Sequence, residues 1–330
     1  MLVISGEEIR TLYPMKDAME AAKRGFRLFS EGKTHVPLRI NLPVKENNGQ
    51  VLFMPAFVGD EKPSVGIKIV SVYVDNPSKG LPAVPSTVLL VDAENGFVKA
   101  IMNGTVLTQI RTGAASGAAT DLLARRDARI GALFGAGGQA EFQLEAMITA
   151  RPLEEVRVFD PRIEICRAFI ERLQDKKPFS GVRLVAAETS DDTVRGADII
   201  TAATTARKPV FNADSVKPGA HVNGVGSYTP DMQELDPKIL NLAGKIYMDS
   251  IEAVLAESAD LINPLKDKTF SRDSITGELG ELAAGTKPGR GSSEEITVFK
   301  TVGIAVQDVV AAEEIFGRAV KQKAGKTISF

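Results

Sequence analysis

Apolar residues recur at helical spacing near the start of the chain. Across residues 7–30 they fall at Ile9, Leu12, Met15, Ala18, Ala21, Ala22, Phe26 and Phe29, and the run ends at Glu31-Gly32. That spacing predicts one amphipathic helix closed by a glycine. The rhythm then changes. Residues 39–44, 51–57, 64–74 and 87–92 are short runs with strand character, and Asn95-Gly96 between two apolar runs predicts a hairpin turn. The first block therefore reads as α+β with a largely antiparallel sheet. Residues 103–124 differ again: small residues dominate from Thr112 to Ala119. This segment reads as a helix that crosses between domains, its small side chains allowing a neighbour or ligand to approach.

From Arg129 onward strand and helix patterns alternate. Apolar runs at Ile130–Phe134, 156–159, 182–186, 199–203, 221–225 and 245–248 read as strands, with helices at 139–149, Ile163–Leu173 and 190–195. Short apolar strands alternating with helices predict a Rossmann-type doubly wound parallel sheet covered on both faces. A strand at 296–299 and a helix at 305–320 close the chain. If that helix returns to the first domain, the N-terminal domain is discontinuous, and the expected division is 1–112 with 305–330 around 113–304.

Composition narrows the function. At 330 residues the chain is long enough for about two domains. A net charge of -2 offers no global field for nucleic acid or an anionic membrane. No apolar run approaches the roughly 20 residues a membrane helix needs, and residues 1–15 lack the charged and apolar regions of a secretory signal. Cys166 is the single cysteine, which precludes an intrachain disulfide and fits a reducing, cytoplasmic setting. His35 and His221 are the only histidines and form no cluster with cysteine, so no metal site is expected. Neither a G-x-S-x-G elbow nor a P-loop is present. A borrowed cofactor is expected to supply the difficult chemistry.

Gly135-Ala136-Gly137-Gly138-Gln139-Ala140 matches G-x-G-x-x-A. Gly135 would permit a tight turn, Gly137 would let the backbone approach a pyrophosphate, and Ala140 would let the helix pack close to the strand. The diphosphate would sit at the helix N-terminus, where free N–H groups favour negative charge. A glycine triplet alone most often marks an ordinary loop. This one follows a strand, opens a helix, and has Asp160 at the end of the next strand, 25 residues after Gly135. A carboxylate there can bond the adenosine ribose and repel a 2′-phosphate, which favours NAD(H). Arg162, two residues on, keeps NADP(H) open as a second cofactor. The bland reading of Asp160 is a solvated acid at a strand end.

Taken together, Val65-Gly66-Ile67-Lys68, the segment from Gln109 to Ala115, the glycine turn, Thr201 to Thr204, Val222 to Leu235 and Ile296 to Asp308 resemble the ornithine cyclodeaminase/mu-crystallin family, in order and along nearly the whole chain. The resemblance implies a Rossmann domain plus a substrate domain, built from both chain ends, that also forms a homodimer. Lys68 interrupts an apolar strand, and a buried cation needs a partner. The resemblance places it at the substrate carboxylate or the reacting nitrogen; the alternative is an edge-strand lysine reaching solvent. By the same resemblance Arg39 holds the substrate carboxylate, and Arg111 contacts cofactor phosphates or substrate unless it forms an interdomain salt bridge. Gly138, Gln139, Val225, Gly226, Thr204 and Thr301 fall at cofactor-binding positions, and Val302 at a substrate-binding one. Asp308 stands open between pairing near the site and a structural role. His221 reads as a satisfied strand histidine.

The family's cyclodeaminases carry an aspartate at the position of Tyr228, in Gly226-Ser227-Tyr228-Thr229-Pro230-Asp231. That acid manages protons while ammonia leaves. With tyrosine there, and Glu234-Leu235 following, the chain is more similar to the ketimine and Δ1-pyrroline-2-carboxylate reductases. Reducing a preformed cyclic imine needs a hydride, a held carboxylate and a protonated nitrogen, and no base to expel ammonia. Tyr228 is either a proton donor or a pocket wall. The expected activity is NAD(P)H-dependent reduction of Δ1-pyrroline-2-carboxylate to L-proline, with Δ1-piperideine-2-carboxylate as a second substrate giving L-pipecolate. The alternatives are an ornithine cyclodeaminase or alanine dehydrogenase of the same fold, and a non-catalytic, mu-crystallin-like binding protein. The expected partners are a cyclic imino acid or amino acid and a second copy of the chain, with neither nucleic acid nor membrane.

Overall fold

The structure, a computed structural model, describes residues 1–329. The chain forms two compact units, one of Met1–Arg111 with the segment from Ile304 onward, the other of Thr112–Gly303.

The first unit begins with β1 (Leu2–Ile4), α1 (Gly6–Leu12), α2 (Met15–Ser30), β2 (Thr34–His35), β3 (Ile40–Val44), β4 (Gly49–Val58), β5 (Ser64–Tyr73), β6 (Ser86–Asp92) and β7 (Val98–Asn103). α3 (Gly104–Leu123) follows and contains the unit boundary. The second unit continues with β8 (Ile130–Phe134), α4 (Ala140–Ala150), β9 (Glu155–Phe159), α5 (Ile163–Leu173), β10 (Arg183–Ala186), α6 (Ser190–Val194), β11 (Ile199–Ala202) and β12 (His221–Gly224). It ends with α7 (Lys238–Leu242), β13 (Ala243–Met248), α8 (Ile251–Glu257), α9 (Ala259–Lys266), β14 (Gly277–Glu278), α10 (Leu279–Ala283) and β15 (Ile296–Lys300). The chain returns to the first unit with α11 (Ala305–Gln322) and β16 (Lys326–Thr327).

The single helix expected across residues 7–30 is two helices. Pro14 lacks an N–H and disfavours helical geometry at the residue before it, and Tyr13 accordingly sits at φ -130°, ψ 73°. Ser5 starts α1 with a capping box: its hydroxyl accepts the Glu8 N–H while the Glu8 carboxylate accepts the Ser5 N–H.

The sheet of the first unit runs β16-β1-β7-β6-β5-β4-β2, with β3 also on β4. Its pairs are antiparallel except β1 with β7. β6 and β7 form the hairpin expected at Asn95-Gly96, where Asn95 Oδ1 accepts the Phe97 N–H at 3.0 Å. Alternate residues of β4 and β5 point inward: Leu52, Met54, Ala56 and Val58 on one strand, Lys68 and Val70 on the next. α11 packs on β4, β5 and β6, covering this face. The other face keeps apolar residues in the open, among them Ile40 at 63% and Leu42 at 54% exposure.

The sheet of the second unit is parallel throughout, in the order β10-β9-β8-β11-β12-β15-β13-β14. Winding proceeds from β8 through β9 to β10, then reverses and continues from β11 on the other side of β8. Ligands of such sheets bind outside the strand C-termini at this reversal. Leu133, Val156, Val158, Leu144, Met147 and Phe169 pack together on the β8–β10 side, where strands and helices share apolar surface. Among the described residues no helix is long and apolar enough to cross a membrane.

Candidate active site

The glycine turn leaves β8 at the reversal of the second sheet. Gly135 has φ 94°, a conformation only glycine adopts freely. A Cβ there would also come within 2.8 Å of the Ala203 carbonyl oxygen, just past the neighbouring β11. Gly137 is different: nothing lies within 4 Å of where its Cβ would be, so only glycine's small size toward a ligand would call for it. Gly138 is exposed, Gln139 is the N-cap of α4, and Ala140 is buried as α4 begins.

Asp160 follows β9 and faces this turn. Its Oδ2 accepts the Ala136 N–H at 3.4 Å, and its Oδ1 accepts the Arg162 N–H at 3.1 Å and Nε at 3.3 Å. The Asp160 side chain is 12% exposed and that of Arg162 67%. Replacing Asp160 with serine would remove the charge opposing a 2′-phosphate and release Arg162. The ratio of kcat/KM for NADPH to that for NADH should rise by about tenfold, equivalent to ~1.4 kcal/mol. An unchanged ratio would remove Asp160 from cofactor choice.

The loops after β11, β12 and β15 carry the remaining candidates of the second unit. Thr204 donates its backbone N–H and hydroxyl to Glu234 Oε2, at 2.9 and 3.0 Å. Gly226 and Ser227 donate their N–H groups to Glu234 Oε1. Val225 donates to the Ala202 carbonyl at 2.8 Å, and Tyr228 is half-buried. Asp249, at the end of β13, gathers the Thr301 hydroxyl and the N–H groups of Val302 and Gly303 on one oxygen. Its pKa is raised, chiefly by burial, against the pull of those donors. His221 is fully buried on β12, its ring nitrogens 2.9 Å from Thr297 Oγ1 and 3.1 Å from Asn223 Oδ1. Burial drives its pKa down to about 3, so it is a neutral structural residue.

In the first unit, Lys68 lies on the covered face of β5 and is 1% exposed. Its Nζ sits 3.0 Å from Asp308 Oδ1 and 2.8 Å from Oδ2. Asp308 comes from the first turn of α11 and also accepts Arg111 Nε at 3.0 Å. Arg111 donates further to Gln307 Oε1 at 2.8 Å. Two buried cations thus share one buried carboxylate. Burial, then the Arg111 charge, lowers the Lys68 pKa to about 7 although Asp308 pulls it up. Arg39 precedes β3. It immediately precedes Ile40, which pairs with Phe53, the neighbour of the Met54 that faces Lys68 across β4 and β5. The Arg39 charge also lowers the Lys68 pKa. An excess of buried positive charge is costly unless an anion joins it or a proton leaves.

Sequence reasoning missed Asp249, Asp260 and Lys300, and treated Glu234 only as part of a family pattern. Lys300 carried a readable signal, since it ends the otherwise apolar run of β15, as Lys68 interrupts β5. Among the described residues no group of His, Cys, Asp and Glu could hold a metal.

A parallel sheet reversing at β8 and β11, with a glycine turn at the reversal and an acid after β9, defines a Rossmann-type enzyme of the dinucleotide-binding class. The family model described as "Ornithine cyclodeaminase/mu-crystallin family" matches residues 1–323, and the chain belongs to that family. It is 38% identical to a Δ1-pyrroline-2-carboxylate reductase of Bacillus cereus over 330 residues, covering 100% of both chains. Among solved structures it is similar to Thermococcus litoralis Δ1-pyrroline-2-carboxylate reductase in complex with NADH and L-proline, with a TM-score of 0.94, 37% identity, and 99% and 100% of the two chains covered. An archaeal alanine dehydrogenase dimer with bound NAD gives a TM-score of 0.92 at 34% identity, covering 100% of this chain and 99% of that one.

Proposed function

We propose that this chain reduces cyclic imino acids with NADH, and with NADPH as a second cofactor: Δ1-pyrroline-2-carboxylate to L-proline, and Δ1-piperideine-2-carboxylate to L-pipecolate. The observation that carries the reading is the cluster of Lys68 and Arg111 on Asp308, with the Arg39 charge acting on the same lysine. Its surplus positive charge suits a small carboxylate. Binding that carboxylate raises the Lys68 pKa, so the lysine holds its proton once substrate arrives. With a starting value of about 7, Lys68 is a suitable acid for an imine nitrogen near neutral pH. Arg39 and Arg111 hold the carboxylate through guanidinium forks.

The turn from Gly135 to Gln139, with Asp160 and Arg162, holds the dinucleotide, together with Thr204, Val225, Gly226 and Thr301. Bound there, the reduced nicotinamide supplies the hydride that the imine carbon receives. Val302 contributes to the substrate pocket, and Tyr228 offers a phenol where cyclodeaminases of the family carry an acid. The similar pyrroline-2-carboxylate reductases support this substrate class. The open apolar face of the first unit's sheet, with Ile40, Leu42 and Phe57, is the surface for a second copy of the chain. The dimeric alanine dehydrogenase supports that assembly. The low net charge and the single buried cysteine suit the cytoplasm.

The test is an assay of purified protein with NADH and NADPH against both cyclic imines, beside oxidation of ornithine, alanine and proline. Imine plus reduced cofactor should give the L-amino acid, and ornithine should give little ammonia. Faster ammonia release from ornithine than reduction of either imine would replace this reading with cyclodeamination.

A further inference from the structure

We infer that Glu234 is a positioning residue for this reaction, its carboxylate fastening the backbone after β11 to the backbone after β12. The inference rests on the proposed reductase reading for its kinetic readout, and on nucleotide binding alone for a second one.

Glu234 is fully buried, a position carboxylates avoid unless they are satisfied. Four donors converge on it. Thr204 gives Oε2 its N–H and hydroxyl, while Gly226 and Ser227 give Oε1 their N–H groups. The two oxygens therefore serve two different loops, which follow adjacent parallel strands at the C-terminal edge where the dinucleotide is expected. The second loop continues directly into Tyr228.

Behind the carboxylate lies a buried support. Asp260 of α9 accepts the backbone N–H groups of Glu234 and Leu235 at 2.8 and 2.9 Å. Lys300 of β15 stands 3.2 Å from Asp260 Oδ2 and donates to the Ser227 carbonyl at 2.8 Å. All three charged side chains are fully buried. Three strand ends and one helix are thus tied through a single network, and within it the Glu234 carboxylate joins Thr204 to the Gly226-Ser227 backbone that leads into Tyr228.

The bridge is specific for an ionised carboxylate. The backbone groups facing the two oxygens are N–H donors, so a protonated acid would turn its O–H against one of them. A glutamine amide would do the same on one side. Burial pushes the Glu234 pKa up to about 7; Lys300 opposes the shift and Asp260 reinforces it. Those are the charged groups acting on it, from β15 and α9. The folded pKa lies above the ordinary carboxylate value, so the fully fastened state is present above about 7 and is lost as pH falls through that value.

The experiment compares wild type with Glu234→Gln and Glu234→Asp. NADH affinity is measured by nucleotide fluorescence, and imine reduction by kcat and KM, on both sides of neutral pH. Wild type should lose NADH affinity on the acid side of neutrality; Glu234→Gln should fold, bind NADH at least about tenfold more weakly above neutrality, and lack that acid-side decline. Glu234→Asp keeps the charge but is one methylene shorter and reaches one loop better than both. It should recover the pH dependence without full affinity, and it serves as the readout if the glutamine variant does not fold. NADH affinity and kcat within about twofold of wild type in a folded variant, with only thermal stability lost, would overturn the inference. If wild type reduces no imine, the reductase reading fails while NADH affinity and its pH dependence still decide the role of Glu234.

Discussion

Lys68→Met enzyme should lose at least about tenfold in kcat/KM for a cyclic imino acid, or ~1.4 kcal/mol of transition-state stabilisation. The methionine fills the same row of the sheet between Met54 and Val88, so the strand should fold. What disappears is a cation shared between a buried aspartate and the incoming carboxylate. The pH profile separates this from a packing defect. Lys68 is charged below about 7 and neutral above it, so wild-type kcat/KM should decline as pH rises through that region. The decline should vanish in Lys68→Met. Asp308→Asn removes the group that raises the lysine's pKa, so in that variant the same decline should move to lower pH. A Lys68→Met profile that keeps the wild-type alkaline decline would show that another group causes it.

Gly137→Val should weaken NADH binding by at least about a hundredfold, or ~2.8 kcal/mol. The space around this residue makes the experiment clean. No atom lies within 4 Å of the added Cβ, so the variant's thermal stability should stay close to wild type while its branched side chain occupies the approach to the diphosphate. Gly135 would not serve the same purpose. Its positive φ and its contact with the Ala203 carbonyl mean that any side chain there disturbs β8 and β11 themselves. Undiminished NADH affinity in folded Gly137→Val would remove the glycine turn from cofactor binding.

The parts of the fold that could be read from sequence are those whose burial imposes a period. β8 and α5 occur where their patterns put them, because a strand covered on both faces must be apolar throughout and a covering helix must be apolar on one side. β1, β2, β14 and β16 span two or three residues each, too few to establish alternation. The short helices α7 to α10 are similarly silent, and α9 even contains Pro264. The break at Tyr13-Pro14 was legible as a proline rule, but the apolar spacing on either side of it ran through unbroken. In the candidate site, Lys68 stood out as a cation in an apolar strand. Its partner did not, because Asp308 lies 240 positions away and only the packing of α11 on β5 brings them together. Glu234, Asp249 and Asp260 were hidden for a different reason: an acid in a loop or short helix ordinarily reads as solvated. Only their burial and the backbone donors that converge on them set these three apart.

The first unit is closed by the last part of the chain. β1 pairs with β16, Leu2 opposite Thr327, and α11 covers β4, β5 and β6. A ribosome that has released the first hundred residues has therefore made a sheet whose inner face is bare. The second unit is contiguous, from Thr112 to Gly303, and its strands can all pair before the C-terminal helix emerges. During synthesis the later-encoded unit is able to finish first, while the earlier one waits with Lys68 lacking its counter-ion and its apolar row uncovered. Such a nascent sheet exposes the apolar surface and unpaired edges that make folding intermediates prone to aggregate. Truncating the final helix would leave the newborn chain in that aggregation-prone condition, however intact its nucleotide fold.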